Sequence, residues 1–218
     1  MTMIVVEGLD GSGKTTLVKN LVALFEANGQ SVLALREPGS TKLAEGIRTL
    51  LKDPEYKDSM TDISELLLFY AARRSLLEHT TVPALREGKV VIYDRFNVST
   101  VAYQGIGSGL LQEVQHLTKM VLGDFQPDLY VFVDVDDEVA HARRVNATEL
   151  DRIEQKGPEY RKRVKSGFDI ALRDCGVPYI VVDGNLSERE LAHVTFHEIQ
   201  HRIQGMKDGQ NFNQTTFT

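Results

Sequence analysis

Short apolar runs alternate with longer stretches of helical period along the chain. Met3–Glu7, Val32–Arg36, Lys89–Asp94, Leu129–Val135 and Tyr179–Asp183 are rich in Val, Ile, Leu and Tyr, and polar or turn residues bound each of them. Strands that stay apolar without alternation suit a parallel sheet covered on both faces, where neither side meets water. Between them, Lys14–Ala27, Lys42–Lys52, Asp62–His79, Leu110–Leu122, a stretch from Glu138 onward, Glu159–Arg173 and Ser187–Gln204 carry helical patterns. Asp62 followed by Glu65 reads as a capping box opening the third helix, and Asn28-Gly29 as the stop of the first. Strand–helix alternation throughout predicts an α/β fold, a doubly wound parallel five-stranded sheet with helices on both faces. No repeat, low-complexity segment or linker interrupts it, so residues 1–204 are expected to form one domain. The polar, unpatterned stretch Gly205–Thr218 reads as a flexible tail.

Composition narrows the function more than the fold. With 42% hydrophobic and 26% charged residues, the chain has an ordinary soluble balance. No apolar run approaches the roughly 18 residues of a membrane helix. Met3–Val6 ends at Glu7 with no basic region before it, which does not fit a signal peptide. The single cysteine, Cys175, excludes an internal disulfide and a cysteine-cluster metal site, and agrees with a reducing cytoplasm. None of the six histidines shows metal-ligand spacing with a partner acid. A net charge of −6 provides no general positive field for nucleic acid. An anionic ligand would therefore need arginines gathered locally.

Directly after the first apolar run comes Gly8-Leu9-Asp10-Gly11-Ser12-Gly13-Lys14-Thr15, which matches the P-loop pattern at every fixed position. Glycines let backbone N–H groups curl around the β- and γ-phosphates of a nucleotide, and the following helix offers its positive end. Lys14 supplies a cation to the phosphates and the Thr15 hydroxyl is placed to ligate magnesium. Gly8, Asp10, Gly11, Ser12, Gly13, Lys14, Thr15 and Thr16 are the nucleotide-binding candidates of a P-loop NTPase. This motif alone does not separate a kinase from a GTPase, a motor or a switch.

The acceptor side carries that distinction. Phe69 and Arg73 are spaced i, i+4 and share one helix face, where a ring can stack on a base and a guanidinium can donate to a base carbonyl. Asp94-Arg95 ends the third strand, at the carboxyl edge where α/β folds bind ligands. Together with Glu7-Gly8-Leu9-Asp10, Arg36-Glu37-Pro38-Gly39-Ser40-Thr41, Phe69-Tyr70-Ala71-Ala72-Arg73, Asp94-Arg95-Phe96 and Leu150-Asp151-Arg152-Ile153-Glu154-Gln155, the chain resembles the bacterial thymidylate kinases over roughly residues 3 to 190. The resemblance implies transfer of the γ-phosphoryl of ATP to dTMP with Mg2+, in a homodimer. It implies that Phe69 and Arg73 hold thymine, with Glu37 in the same pocket. Arg95 and Arg48 would clamp the acceptor phosphate, since bidentate guanidinium–phosphate contacts are strong and directional. Ser99, Thr100, Tyr103 and Gln104 would line the base and sugar pocket, with Tyr103 against the 2′ position and Asp10 receiving the 3′-hydroxyl. Asp94 would act near magnesium, beside Thr15, or hold Arg95.

Phosphoryl transfer needs positive charge on the moving group. Leu9, Asp10, Gly11 and Ser12 include no base, so the resemblance implies that an arginine arrives from a lid at about 143–157. Arg143, Arg144 and Arg152 are candidates, with Arg152 first and Arg143 second. Val145 and Ala147 stand where the family often carries lid arginines. Asp134, at a Walker-B-like position, is given a lid-anchoring role. Other readings are a kinase of another or modified pyrimidine monophosphate, a deoxynucleoside kinase, and a non-catalytic nucleotide switch. The deoxynucleoside reading leaves Arg48 and Arg95 with nothing to clamp, and a guanine-reading Asn-Lys-x-Asp motif is not in the sequence.

Overall fold

A computed structural model describes residues 2–145, 151–207 and 215–216. The strands are β1 (Thr2–Glu7), β2 (Val32–Arg36), β3 (Val90–Asp94), β4 (Leu129–Asp134) and β5 (Tyr179–Asp183), all parallel. A two-residue strand, β6 (Thr215–Thr216), runs parallel to Ile180–Val181, so part of the stretch read as a loose tail extends the sheet. The order is β2-β3-β1-β4-β5-β6. From β1 the chain runs to the outer strand β2, returns to β3 beside β1, and then crosses to β4 and β5 on the other side, which opens a crevice at the carboxyl edge beside β1. The register gathers Glu7, Arg36, Asp94 and Asp134 along that edge: Arg36 lies opposite Asp94, and Val6 opposite Asp94 on the other side of β3.

Both faces of β1 are buried, as the apolar run requires. Ile4 and Val6 pack with Leu17, Leu21 and Phe25 of α1 (Lys14–Ala27) and with Leu191, Phe196 and Ile199 of the C-terminal helix. Met3 and Val5 face the other way, toward Tyr93, Phe96, Tyr130, Phe132 and Phe168. Helix α1 begins after Gly13, whose φ of 96° is open to glycine, and ends at Asn28-Gly29, where Gly29 turns left-handed at φ 75° and donates to Glu26 O.

Helix α2 spans Lys42–Lys52 and α3 spans Asp62–Leu76. The cap of α3 is Thr61, not Asp62: the Thr61 hydroxyl accepts from Ser64 N at 3.2 Å. Glu65 is thereby freed from capping and turns inward, fully buried. The pattern predicts a helix running to His79. Instead it widens over Leu77–Thr81 and resumes as α4 (Val82–Arg86), because Pro83 has no N–H for the carbonyl four residues back. After β3 come the short α5 (Asn97–Thr100), a wide-turned segment Val101–Gly107, and α6 (Leu111–Leu122). Helix α7 is Asp137–Val145, α8 is Pro158–Asp174, and α9 is Glu188–Lys207, which extends past the expected end at Gln204.

Helix α8 packs closely against the wide-turned segment, with a glycine from each at the contact. A Cβ on Gly107 would fall 2.8 Å from the Tyr160 ring, and one on Gly167 would fall 2.9 Å from the Cα of Ala102. Tyr160 O–H also donates to Tyr103 O at 3.0 Å. Among the described residues, no helix is long and apolar enough to cross a membrane.

Candidate active site

The phosphate loop joins β1 to α1 at the crevice. Gly8 sits at φ 147°, and a Cβ there would lie 2.7 Å from Val133 O, so the loop passes β4 too closely for any side chain. Lys14 is 6% exposed. Its Nζ donates to Leu9 O at 2.5 Å and lies 3.5 Å from Ser12 Oγ. Burial, joined by the charge of Arg95, pulls Lys14 down to about 8 against the pull of Asp10 and Asp94. Thr15 Oγ1 donates to Asp94 Oδ2 at 2.6 Å, so a hydroxyl and a carboxylate oxygen meet where a hard divalent cation could use both.

A cavity of about 340 Å³ opens beside this loop. It is lined by Asp10, Gly11, Gly13, Lys14, Thr15 and Thr16 at one end and by Glu37, Arg48, Phe69, Arg73, Thr100 and Gln104 at the other. Asp94, Arg95, Ser99 and Tyr103 also line it. Gly8 and Ser12 shape the loop from behind; Ser12 is 1% exposed.

Arg95 holds the middle. Its backbone is left-handed at φ 71°, an uncommon state for a residue with a Cβ and one that must be held by its surroundings. Nη1 donates to Ser99 Oγ at 2.9 Å and Nη2 to Asp10 Oδ1 at 2.7 Å. The Tyr103 hydroxyl donates to Asp10 Oδ2 at 2.7 Å. Burial works to raise Asp10, but the charges of Arg95 and Lys14 win and hold it well below the usual carboxylate range. Glu7 secures the turn: its Oε1 accepts from Phe96 N and Ser99 N at 2.9 and 3.1 Å, and its Oε2 accepts from Ser99 Oγ at 2.5 Å. Burial pushes this carboxyl up, opposed by Arg95.

At the far end, Arg73 is 1% exposed. It donates through Nε to Glu37 Oε2 at 2.7 Å, through Nη1 to Asn97 Oδ1 at 3.0 Å, and through Nη2 to Thr100 Oγ1 at 2.8 Å. The guanidinium lies over the rings of Tyr70 and Phe96, 4.9 and 5.1 Å from their centroids. Burial pushes Glu37 up to about 7 against the charge of Arg73, and its Oε1 is buried with no partner among the described residues. Phe69, half-buried, shares the Arg73 face and lines the cavity. Arg48 donates to Pro38 O at 3.0 Å.

The proposed lid arginines lie elsewhere. Arg152 does not line the cavity; it is 4% exposed, with Nη2 donating to Glu65 Oε2 at 2.6 Å and Nε to Leu51 O at 3.0 Å. This geometry gives Arg152 another task than meeting the transferred phosphoryl: a buried Glu65 requires a counter-charge, and Arg152 supplies it. Arg143 likewise does not line the cavity and donates to Gly184 O at 3.0 Å. The Asp134 backbone carbonyl accepts from Gly184 N at 2.7 Å. The side chains of Arg144 and Val145, and all of Ala147, lie outside the described residues.

Several groups in and around the pocket have no role assigned by the sequence: Lys52 and Asn97, and, within the quoted segments, Glu7, Arg36, Asp151 and Glu154. A charged residue closing a wholly apolar strand was the available signal for Glu7. Asn97 and Lys52 had none, since each matters only through a distant partner.

The family profile described as thymidylate kinase matches residues 6–194. The thymidylate kinase of Legionella pneumophila (strain Corby) is 39% identical over 184 residues, covering 84% of this chain and 86% of that protein. Those of Photobacterium profundum and Shewanella amazonensis are 39% and 40% identical, each covering 84% of this chain and 88% of its own length. With the phosphate loop at one end of the cavity and the half-buried Arg48 and buried Arg73 at the other, the chain belongs to the thymidylate kinase family.

Proposed function

We propose that the protein transfers the γ-phosphoryl of ATP to dTMP, giving dTDP and ADP for dTTP synthesis. The observation that carries this reading is the single cavity shared by Lys14 at one end, the Arg95–Asp10–Tyr103 group in the middle and the Phe69–Arg73 face at the other. Donor phosphates and a pyrimidine nucleotide would thus meet in line.

The loop N–H groups and Lys14 hold the donor phosphates. Arg95 and Arg48 hold the acceptor phosphate, Phe69 stacks on the base, and Arg73 gives its remaining N–H groups to a base carbonyl. The Tyr103 ring closes the 2′ side of the sugar and Asp10 receives the 3′-hydroxyl. Thr15 and Asp94 would hold Mg2+; their oxygens, 2.6 Å apart, are the hard donors it takes, and phosphates and water complete its shell. Bound there, the ion would neutralise charge on the phosphates. The residues at about 143–157 act as a lid over the donor, within one domain.

The protein works in the cytoplasm as a homodimer that binds no nucleic acid. Supporting the dimer are apolar side chains left exposed on neighbouring helices: Leu43 and Leu50 on α2, Ile63 and Leu67 on α3, and Met120 on α6. A coupled assay of ATP consumption over dTMP, dUMP, dCMP and thymidine tests the reaction. dTMP is expected to give the highest kcat/KM; turnover of thymidine but not of dTMP would overturn the reading.

A further inference from the structure

The acceptor pocket and the stretch Asp151–Lys156 meet at one side chain. Glu65, on the inward face of α3, is fully buried. Its Oε1 accepts from Gln104 Nε2 at 2.7 Å and its Oε2 from Arg152 Nη2 at 2.6 Å. Lys156 Nζ lies 3.2 Å from Oε2. Gln104 is 1% exposed and yet lines the cavity.

This arrangement bears on how a base is read. An ionised carboxylate only accepts hydrogen bonds, so the amide beside it must present its NH2 group. A glutamine free to flip would satisfy a base edge of either polarity. One whose nitrogen is committed to Glu65 keeps its carbonyl for the pocket. Arg152 and Lys156 balance the charge of Glu65, without which a buried anion would not be tolerated.

We propose that Glu65 is a positioning residue for base choice: by holding the Gln104 amide nitrogen it turns the amide carbonyl to the base, and so selects a pyrimidine that offers an N–H at N3 over one that offers a lone pair there. The inference rests on the acceptor reading above. Thymine and uracil carry that N–H; cytosine does not.

The test compares kcat/KM for dTMP and dCMP in wild type, Glu65→Gln, Gln104→Met and the double variant. Glu65→Gln keeps the shape but lets the amide turn. The dTMP:dCMP ratio is expected to fall about tenfold or more in Glu65→Gln, the size of one hydrogen bond lost to a mismatched group. The loss should appear as a higher KM for dTMP, with its kcat within a few-fold of wild type. Gln104→Met should lower the ratio as well, and the double variant no further, because both act through one contact. Should Glu65→Gln fail to fold, the ratio is measured in Glu65→Gln/Arg152→Met, which removes the arginine left without its anion. A purely structural role would lower stability and slow both substrates alike, leaving the ratio unchanged. An unchanged ratio in the folded Glu65 variant overturns the proposal, whether or not Gln104→Met lowers it. Failure of the wild type to phosphorylate dTMP would instead strike the kinase reading itself.

Discussion

Lys14 is buried among groups of both signs, and that sets how it responds to pH. With its folded value near 8, the ammonium is present below that pH and lost above it. kcat/KM for ATP, which reports the free enzyme, should be flat up to about pH 8 and then fall, whereas kcat should hold to higher pH because bound phosphates retain the proton. A steady-state pH profile checks this, and a kcat/KM that stays level to about pH 10 would contradict it. Between pH 8 and the ordinary lysine value of 10.5 the unfolded chain binds more protons than the folded one. This group therefore makes folding more favourable as pH rises through that window. Lys14→Ala should lower kcat by about a hundredfold or more, roughly 3 kcal/mol in the barrier, with no loss of thermal stability. Arg73 behaves differently. Its ion pair with Glu37 is buried, so Arg73→Ala should cost about 3–5 kcal/mol of stability, partly regained in Arg73→Ala/Glu37→Gln, as denaturant titration would read. The lysine was legible because its motif is contiguous. The arginine's face was legible too, from the i, i+4 spacing with Phe69. Its partner Glu37, 36 residues away, belongs to a tertiary pairing that no local pattern encodes.

Among the elements, the strands and most helices could be read because burial on both faces of a parallel sheet leaves continuous apolar runs. The errors have local physical causes. Thr61 and Asp62 both suit an N-cap, and packing of Glu65 against Gln104 and Arg152 selected Thr61. Pro83 widened the end of α3 without breaking it. The placement of Arg152 away from the cavity has a related reason: a well-matched motif marks a residue as needed, not as facing the ligand. Its guanidinium ties the Asp151–Lys156 stretch to α2 through Leu51 O and to α3 through Glu65. Arg152→Ala should therefore lower stability by about 3 kcal/mol, from a buried carboxylate left with Lys156 alone to balance it. The expected result is an earlier unfolding midpoint together with weakened catalysis. A loss of kcat near a thousandfold with an unchanged midpoint would restore the catalytic assignment.

Over the whole molecule, the net charge of −6 coexists with a cavity that concentrates Lys14, Arg48, Arg73 and Arg95, which reconciles an acidic surface with anionic substrates. The exposed apolar positions on α2, α3 and α6 are a second feature of the described surface. Leu67, 50% exposed, should tolerate replacement by Glu as a monomer but not within an apolar interface. Sedimentation velocity is expected to show a dimer for the wild type and a monomer for Leu67→Glu; a monomeric wild type would refute the homodimer. The glycine contacts between α8 and the Val101–Gly107 segment matter to anyone designing inhibitors. Tyr103 sits on that segment, with its backbone tied to Tyr160 and its ring edge-on to Phe168. Gly107 and Gly167 leave no slack behind it, so the ring cannot retreat without a whole helix moving. Nucleoside analogues bulky at the sugar's 2′ carbon should meet a hard wall here, whereas bulk added elsewhere on the sugar or base avoids that wall.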